Sequence, residues 1–257
     1  MTRIIFIEGV SGVGKSTMTA NISALLRAQG FHVQEYLEFD ASNPIDFYST
    51  AYIEKEEFEK LCAKHEDSAV NLRSNAVDAG SAMLVRYCNG STPLFQGELQ
   101  RELEQCEFCY KPQKPVPIEA YTEVYRNVWR RFAANIGSEY DYIIFDGSCL
   151  HHPINDLMRN YGVDGETALN HVSTLLNALG SLQRKIFYMY TSDIPERLAK
   201  ARAARGQTVP TDAQTDFWKR RNHNDVYVIE RLGEECCMVD ISNGWDEAEK
   251  LIMEKLH

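Results

Sequence analysis

The chain has 257 residues, 44% hydrophobic and 25% charged, with 27 basic against 37 acidic side chains and a formal net charge of −10. That size and apolar content suffice to bury a substantial core without metal or disulfide staples, and they argue against intrinsic disorder. The acidic balance argues against nucleic acid as a main partner, because a phosphate-tracking surface needs a basic stripe. Apolar runs such as 4–7, 142–145 and 186–190 are strand-sized, too short for a spanning helix of about 20 residues. Glu8 interrupts the first run before a secretory signal could form, so no membrane contact is expected. Seven scattered cysteines suit reduced thiols in a cytoplasm better than an oxidised framework. The expectation is a cytoplasmic globular protein of one or two domains.

Residues 3–8 form a β-branched and aromatic run that predicts a buried strand. Gly9, Val10, Ser11, Gly12, Val13, Gly14, Lys15, Ser16 and Thr17 follow directly and fit the phosphate-loop pattern G-x-x-x-x-G-K-[ST]. Met18, Ile22, Leu25 and Leu26 then recur at helical spacing, and Gly30 closes the helix. Strand, loop and helix thus stand in the order that phosphate binding requires. The glycines let backbone N–H groups turn inward, and the helix N-terminus adds partial positive charge. The implied cofactors are ATP and Mg²⁺, with Lys15 on the β- and γ-phosphates and the Ser16 hydroxyl on the metal.

A second strand is expected over 31–37, leading into Glu38-Phe39-Asp40. For about a hundred residues no strong strand signal follows. Helical patterns cover 53–64, 68–86, 96–106 and 119–136, and Pro112, Pro115 and Pro117 mark a loop between the last two. A third strand at 140–145 ends in Asp146, a fourth covers 185–190 and a fifth 237–241. Helices at 154–161, 166–182, 194–205, 212–232 and 245–256 separate or close them. Alternation of this kind predicts an α/β fold with a five-stranded parallel sheet flanked by helices. The chain then counts as a single domain over 1–257, with 41–137 as a helical insertion covering the acceptor side.

Two further features carry chemistry. Asp146 ends an apolar strand, where an acid can hold Mg²⁺ through water or take a proton from an acceptor hydroxyl. Arg202 and Arg205 are three apart on one helix face and can clamp a triphosphate, whereas Arg197 falls off that face and is expected in solvent. Residues 192–212 would form the lid region that carries both.

Together, the glycine loop at 9–17, the acid ending strand three and the R-x-x-R-G stretch resemble the thymidylate kinases and the deoxynucleoside kinases. The tail is similar too, with Asp216-Phe217-Trp218-Lys219-Arg220-Arg221-Asn222 before a strand into Asp240-Ile241-Ser242. The resemblance covers about 1–40 and 138–257. It implies a P-loop nucleoside-monophosphate-kinase fold with strand order 2-3-1-4-5 and a mobile lid. It also implies an acid after strand two acting as base, a position matched by Glu38 or Asp40, with Asp146 the third candidate. Asn243 and Gly244 stand where related kinases bring backbone against adenine. The acceptor-side motifs depart from both families: Glu38-Phe39-Asp40 replaces Glu-Pro, and Asp146-Gly147-Ser148 replaces an acid-arginine pair. The reading leaves room for a homodimer.

Other candidates have two readings each. His151 and His152 either contact substrate and relay a proton or form a polar loop pair. Cys106 and Cys109 make a lone C-x-x-C without a second pair, so ordinary thiols are expected over zinc. Cys236 and Cys237 are expected to pack. Arg73, Arg86, Arg101, Arg126, Arg130 and Arg131, interleaved with Tyr87, Tyr121, Tyr125 and Trp129, suit either an acceptor with ring and phosphate or plain helix surfaces.

The leading function is an ATP-dependent phosphotransferase acting on a small-molecule acceptor, first a nucleoside or nucleoside monophosphate. The alternatives are a kinase of another small alcohol (antibiotic, sugar or metabolite), an ATP-binding regulatory protein, and an ATPase without phosphotransfer. No N-K-x-D sequence is present for guanine recognition.

Overall fold

The computed structural model describes residues 2–242 and 244–256. The chain opens with β1 (Arg3–Glu8), α1 (Lys15–Ala28) and β2 (Val33–Tyr36). An insertion follows, with β3 (Thr50–Glu54), α2 (Lys55–Lys64), α3 (Ala69–Ser74), β4 (Ala76–Asp78), β5 (Ala82–Arg86), β6 (Cys88–Asn89), β7 (Thr92–Pro93), α4 (Gly97–Gln105) and α5 (Ile118–Asn135). The remainder comprises β8 (Tyr142–Asp146), α6 (His151–Asp156), α7 (Gly165–Ala178), β9 (Gln183–Tyr190), α8 (Ile194–Ala204), α9 (Asp212–Leu232), β10 (Cys236–Asp240) and α10 (Trp245–Leu256).

The apolar runs of β1, β8 and β9 have no solvent face, which is the pattern of parallel strands covered on both sides. They form the centre of a five-stranded, all-parallel sheet with the order β10-β9-β1-β8-β2. Alternate residues of β1 feed two separate cores. Ile4 and Phe6 point to the face covered by α5 and α7, where Phe6 stacks on Trp129 at 5.6 Å and on Phe145 at 5.5 Å. Ile5 and Ile7 point to the face covered by α1 and α10, against Met18, Ile22 and Ile252. Among the described residues, no helix is long and apolar enough to cross a membrane.

The insertion is not wholly helical. β3, β5 and β4 form a three-stranded antiparallel sheet, and β6 pairs with β7 in a two-stranded one. The expected helix over 68–86 is instead α3, a turn and two strands. Its strands have three and five residues, so the run 76–86 holds too few positions to separate a period of two from one of 3.6. This subdomain has its own core, including Ala51, Ile53, Phe58, Leu72, Val85 and Leu103.

Candidate active site

At the end of β1 the chain turns at once into α1. Gly9 takes φ +142°, and a Cβ there would lie 2.7 Å from the Met189 carbonyl oxygen. Gly14 takes φ +90° under the Trp245 ring, 2.3 Å from the place of a Cβ. Only glycine fits either position. Val13 is buried in the core, while Ser11 and Gly12 stay half-open and Thr17 is exposed. Lys15 is buried, its Nζ 3.5 Å from the Val10 carbonyl oxygen of the same loop.

The Ser16 hydroxyl donates to Asp146 Oδ2 at 2.5 Å. The other carboxylate oxygen, Oδ1, is buried without a partner. Burial raises the Asp146 pKa, against the pull of Lys15 and Ser16. A carboxylate with one buried oxygen free, beside a serine hydroxyl and an ammonium, suits a site that receives a cation with its bound water.

α8 crosses the glycine loop, with the Arg197 carbonyl oxygen 3.0 Å from where a Gly12 Cβ would stand. Arg202 Nε donates to the Thr208 carbonyl at 2.6 Å, and Arg205 is exposed just past the helix end. Both line one cleft with Ser11, Leu198 and Phe217. Arg197, expected in solvent, is half-buried, and its guanidinium reaches the Ile241 carbonyl at 3.4 Å. The reason is helical pitch: five residues from Arg202, it faces the turn after β10. Gly244 follows that turn with φ +114°; Asn243 lies outside the described residues.

A second cleft, with about 690 Å³ of non-protein space, opens beside the loop and shares Ser11, Tyr110, Arg159 and Trp218 with the first. Glu38 lines it, whereas Asp40 turns aside to accept from the Ser42 backbone N–H at 2.8 Å. His152 stands between two carboxylates. Its Nε2 is 3.3 Å from Glu38 Oε1, and its Nδ1 is 2.9 Å from Asp46 Oδ2, a charge contact off the hydrogen-bonding direction. Burial works to discharge the ring, but the two acids outweigh it and raise the His152 pKa well above the ordinary value. Burial likewise opposes ionisation of Glu38 and Asp46, and the imidazolium outweighs it, so both pKa values are lowered.

His151 behaves oppositely. Burial drives its pKa well down, its Nδ1 is 2.9 Å from the Gly9 carbonyl oxygen, and its ring stacks on Trp218 at 5.6 Å. The two histidines therefore open α6 as packed residues and are not a polar loop pair. With Glu38 they also bring one ligating atom each within 4.8 Å, the single such group among the described residues.

Arg221, fully buried, fixes this turn by donating to the carbonyls of Leu150 at 2.8 Å and His151 at 2.9 Å, and to Asp225 at 2.6 Å. Glu8, at the end of β1, accepts from the backbone N–H groups of Cys149 at 2.7 Å and His151 at 2.8 Å.

The arginines and aromatics named in the insertion from the sequence line neither cleft. Tyr121, Tyr125 and Trp129 are core, and Tyr87 is buried beside Glu107, to which its hydroxyl donates. Arg73 and Arg126 pair with Glu59 and Glu123, and Arg101, Arg130 and Arg131 are exposed. Arg86 holds the Asp46 loop from behind, donating to the carbonyls of Asp46 at 2.8 Å and Tyr48 at 3.3 Å. Cys106 and Cys109 are free thiols, exposed and buried respectively. Sequence reasoning missed Asp46, Asp156, Arg159 and Trp218. A usable signal was the density of polar residues in 151–156 directly after an apolar strand and its acid. Compared with protein-family models and with curated proteins, the chain matches none.

Proposed function

We propose that the chain is an ATP-dependent phosphotransferase of the P-loop kinase type, passing the γ-phosphoryl group to a small acceptor held in the cleft at Glu38. The observation that carries this is the adjacency of two clefts across one glycine loop. Lys15, Ser16 and Asp146 meet at the loop, two arginines stand on one side of it and a carboxylate on the other. The strand order supports the same reading: counted along the central sheet it is 2-3-1-4-5, the order that the resemblance implies.

In this reading the loop amides and Lys15 bind the β- and γ-phosphates, and Arg202 and Arg205 follow the charge as it moves. Ser16 and Asp146 would hold Mg²⁺, whose contribution is neutralisation of phosphate charge. The bent path through Gly9 and Gly14 keeps the loop shaped before the ligand arrives, so little ordering cost falls on the reaction. Closure of the lid region at 192–212 would exclude water from the acceptor, favouring transfer over hydrolysis.

The test is transfer of labelled phosphate from ATP to a panel of nucleosides, nucleoside monophosphates and other alcohols. Lys15→Ala should abolish transfer and keep the fold. Full activity in that variant, or ATP hydrolysis with no acceptor dependence, would overturn the proposal.

A further inference from the structure

The second cleft carries chemistry of its own, and the inference drawn from it rests on the phosphotransferase reading. A phosphate monoester placed there would need cations or free N–H groups to balance up to two negative charges. The cleft provides one guanidinium, Arg159, which lies over the Phe217 ring at 4.9 Å. The other cation, His152, is already shared between Glu38 and Asp46. The remaining anion position, at the head of α6, is filled from inside the protein, because Glu8 takes the N–H groups of Cys149 and His151. The floor therefore presents carboxylate oxygens where a phosphate acceptor would demand donors.

The rim has a different character. Phe39 and Tyr110 are 45% and 50% exposed, with Tyr48 between them at 4.5 Å and 6.2 Å from ring to ring. Among the described residues, three that are not glycine have positive φ: Phe39 at 68°, Ser49 at 49° and Lys111 at 57°. Each is one of the rim rings or the residue directly after one. A left-handed backbone is unfavourable at each, and it persists here beside the rings that line the cleft.

We propose that the acceptor is an alcohol carrying no phosphate group, with a flat or apolar-faced ring lying against Phe39, Tyr48 and Tyr110 and its hydroxyl at Glu38. Glu38 takes the hydroxyl proton as the acceptor oxygen forms its bond to the γ-phosphorus. The bond from that phosphorus to the β–γ bridging oxygen breaks, and ADP leaves. The proton then passes from Glu38 to water. His152 is a positioning residue in this scheme: held from behind by Asp46, it keeps the Glu38 carboxylate aimed into the cleft.

The experiment compares kcat/KM for paired acceptors, each nucleoside or cyclic alcohol against its own monophosphate, with the full chain, ATP and Mg²⁺. At least one alcohol should be used, with its monophosphate about 100-fold poorer or worse. Glu38→Gln should lower kcat by about 100-fold or more, the range for loss of a general base, while the acceptor KM moves little. Phe39→Ala and Tyr110→Ala should raise the acceptor KM about tenfold with kcat retained. His152→Gln should lower kcat while the acceptor KM moves little, a split that loss of packing alone would not give. Monophosphates preferred over their alcohols, at full activity, would overturn this inference and leave the kinase reading intact. No transfer to either arm from a protein that binds ATP through Lys15 would overturn both.

Discussion

Ser16 and Asp146 are joined by a 2.5 Å hydrogen bond that ties the first turn of α1 to the last residue of β8. Two elements separated by more than a hundred residues are thereby locked at the point where the glycine loop opens. In the proposed enzyme this contact is where the metal would be received.

Asp146→Asn removes the charge and keeps the shape. Turnover should fall by about 100-fold or more, on the scale of losing one charge-stabilising group. Raising Mg²⁺ should recover part of the loss. Kinetics as a function of Mg²⁺ concentration decide the matter; a variant with unchanged turnover and metal dependence would remove Asp146 from the site.

The lid arginines carry a different expectation. Arg202→Ala and Arg205→Ala should each lower turnover by about 100-fold while changing ATP affinity much less, because their charge matters most as the phosphoryl group moves. Titration of ATP binding beside steady-state rates separates the two. Equal losses in both would reduce the arginines to ground-state contacts.

Arg221 and Asp225 form a fully buried ion pair, with Tyr188 also donating to Asp225 at 2.9 Å. Arg221→Leu leaves that carboxylate without its cation and frees the carbonyls of Leu150 and His151. A loss of about 3–5 kcal/mol in urea unfolding is expected. Adding Asp225→Asn to Arg221→Leu should recover part of it, since the double variant has no uncompensated charge.

Glu8 and Asp156 should each make stability fall as pH rises from about 5 to about 7. Burial raises Glu8 and Asp156 to about 7, above their ordinary values of 4.5 and 3.8. A carboxyl raised in the folded state contributes fully below its unfolded pKa, and the contribution is lost as pH climbs through the folded one. The slope approaches about 1.4 kcal/mol per pH unit for each group between its unfolded and folded values and fades above about pH 7. His151 and His171, held neutral by burial, pull the other way below their unfolded value. The stability of Asp156→Asn relative to the unsubstituted chain, measured by denaturant titration between about pH 5 and 7, should therefore improve as pH rises; a difference independent of pH would remove Asp156 as a source of the slope.

What the sequence made legible is what is local. The glycine loop is nine consecutive residues, and the strands of the sheet announce themselves as unbroken apolar runs because both faces are covered. Asp146 is legible for the same reason: it is the first polar residue after such a run. The cleft at Glu38 was not legible, because nothing local joins its parts. Asp46 sits in an irregular loop, Arg159 follows a short helix and Trp218 belongs to a helix read only for its likeness to the tail of the kinases. The packing of α6 against α9, through Arg221, and the hold of Arg86 on the Asp46 loop bring them into one cleft with Glu38. Arg197 shows the converse error. Its helix face was read correctly as distinct from that of Arg202, but the neighbour waiting on that face, the turn after β10, has no signature at position 197.

The separate core of the β3–β5–β4 subdomain has a consequence for how this chain can change. Most of its apolar contacts close on themselves, but Leu84 of β5 and Tyr52 of β3 join the core under the central sheet. Substitutions at Phe58, Leu72 or Leu103 are thereby insulated from that core, whereas a change at Leu84 falls in the same layer as Phe6 and Phe145. A fold built this way can vary its cover everywhere except along the seam where the two cores meet.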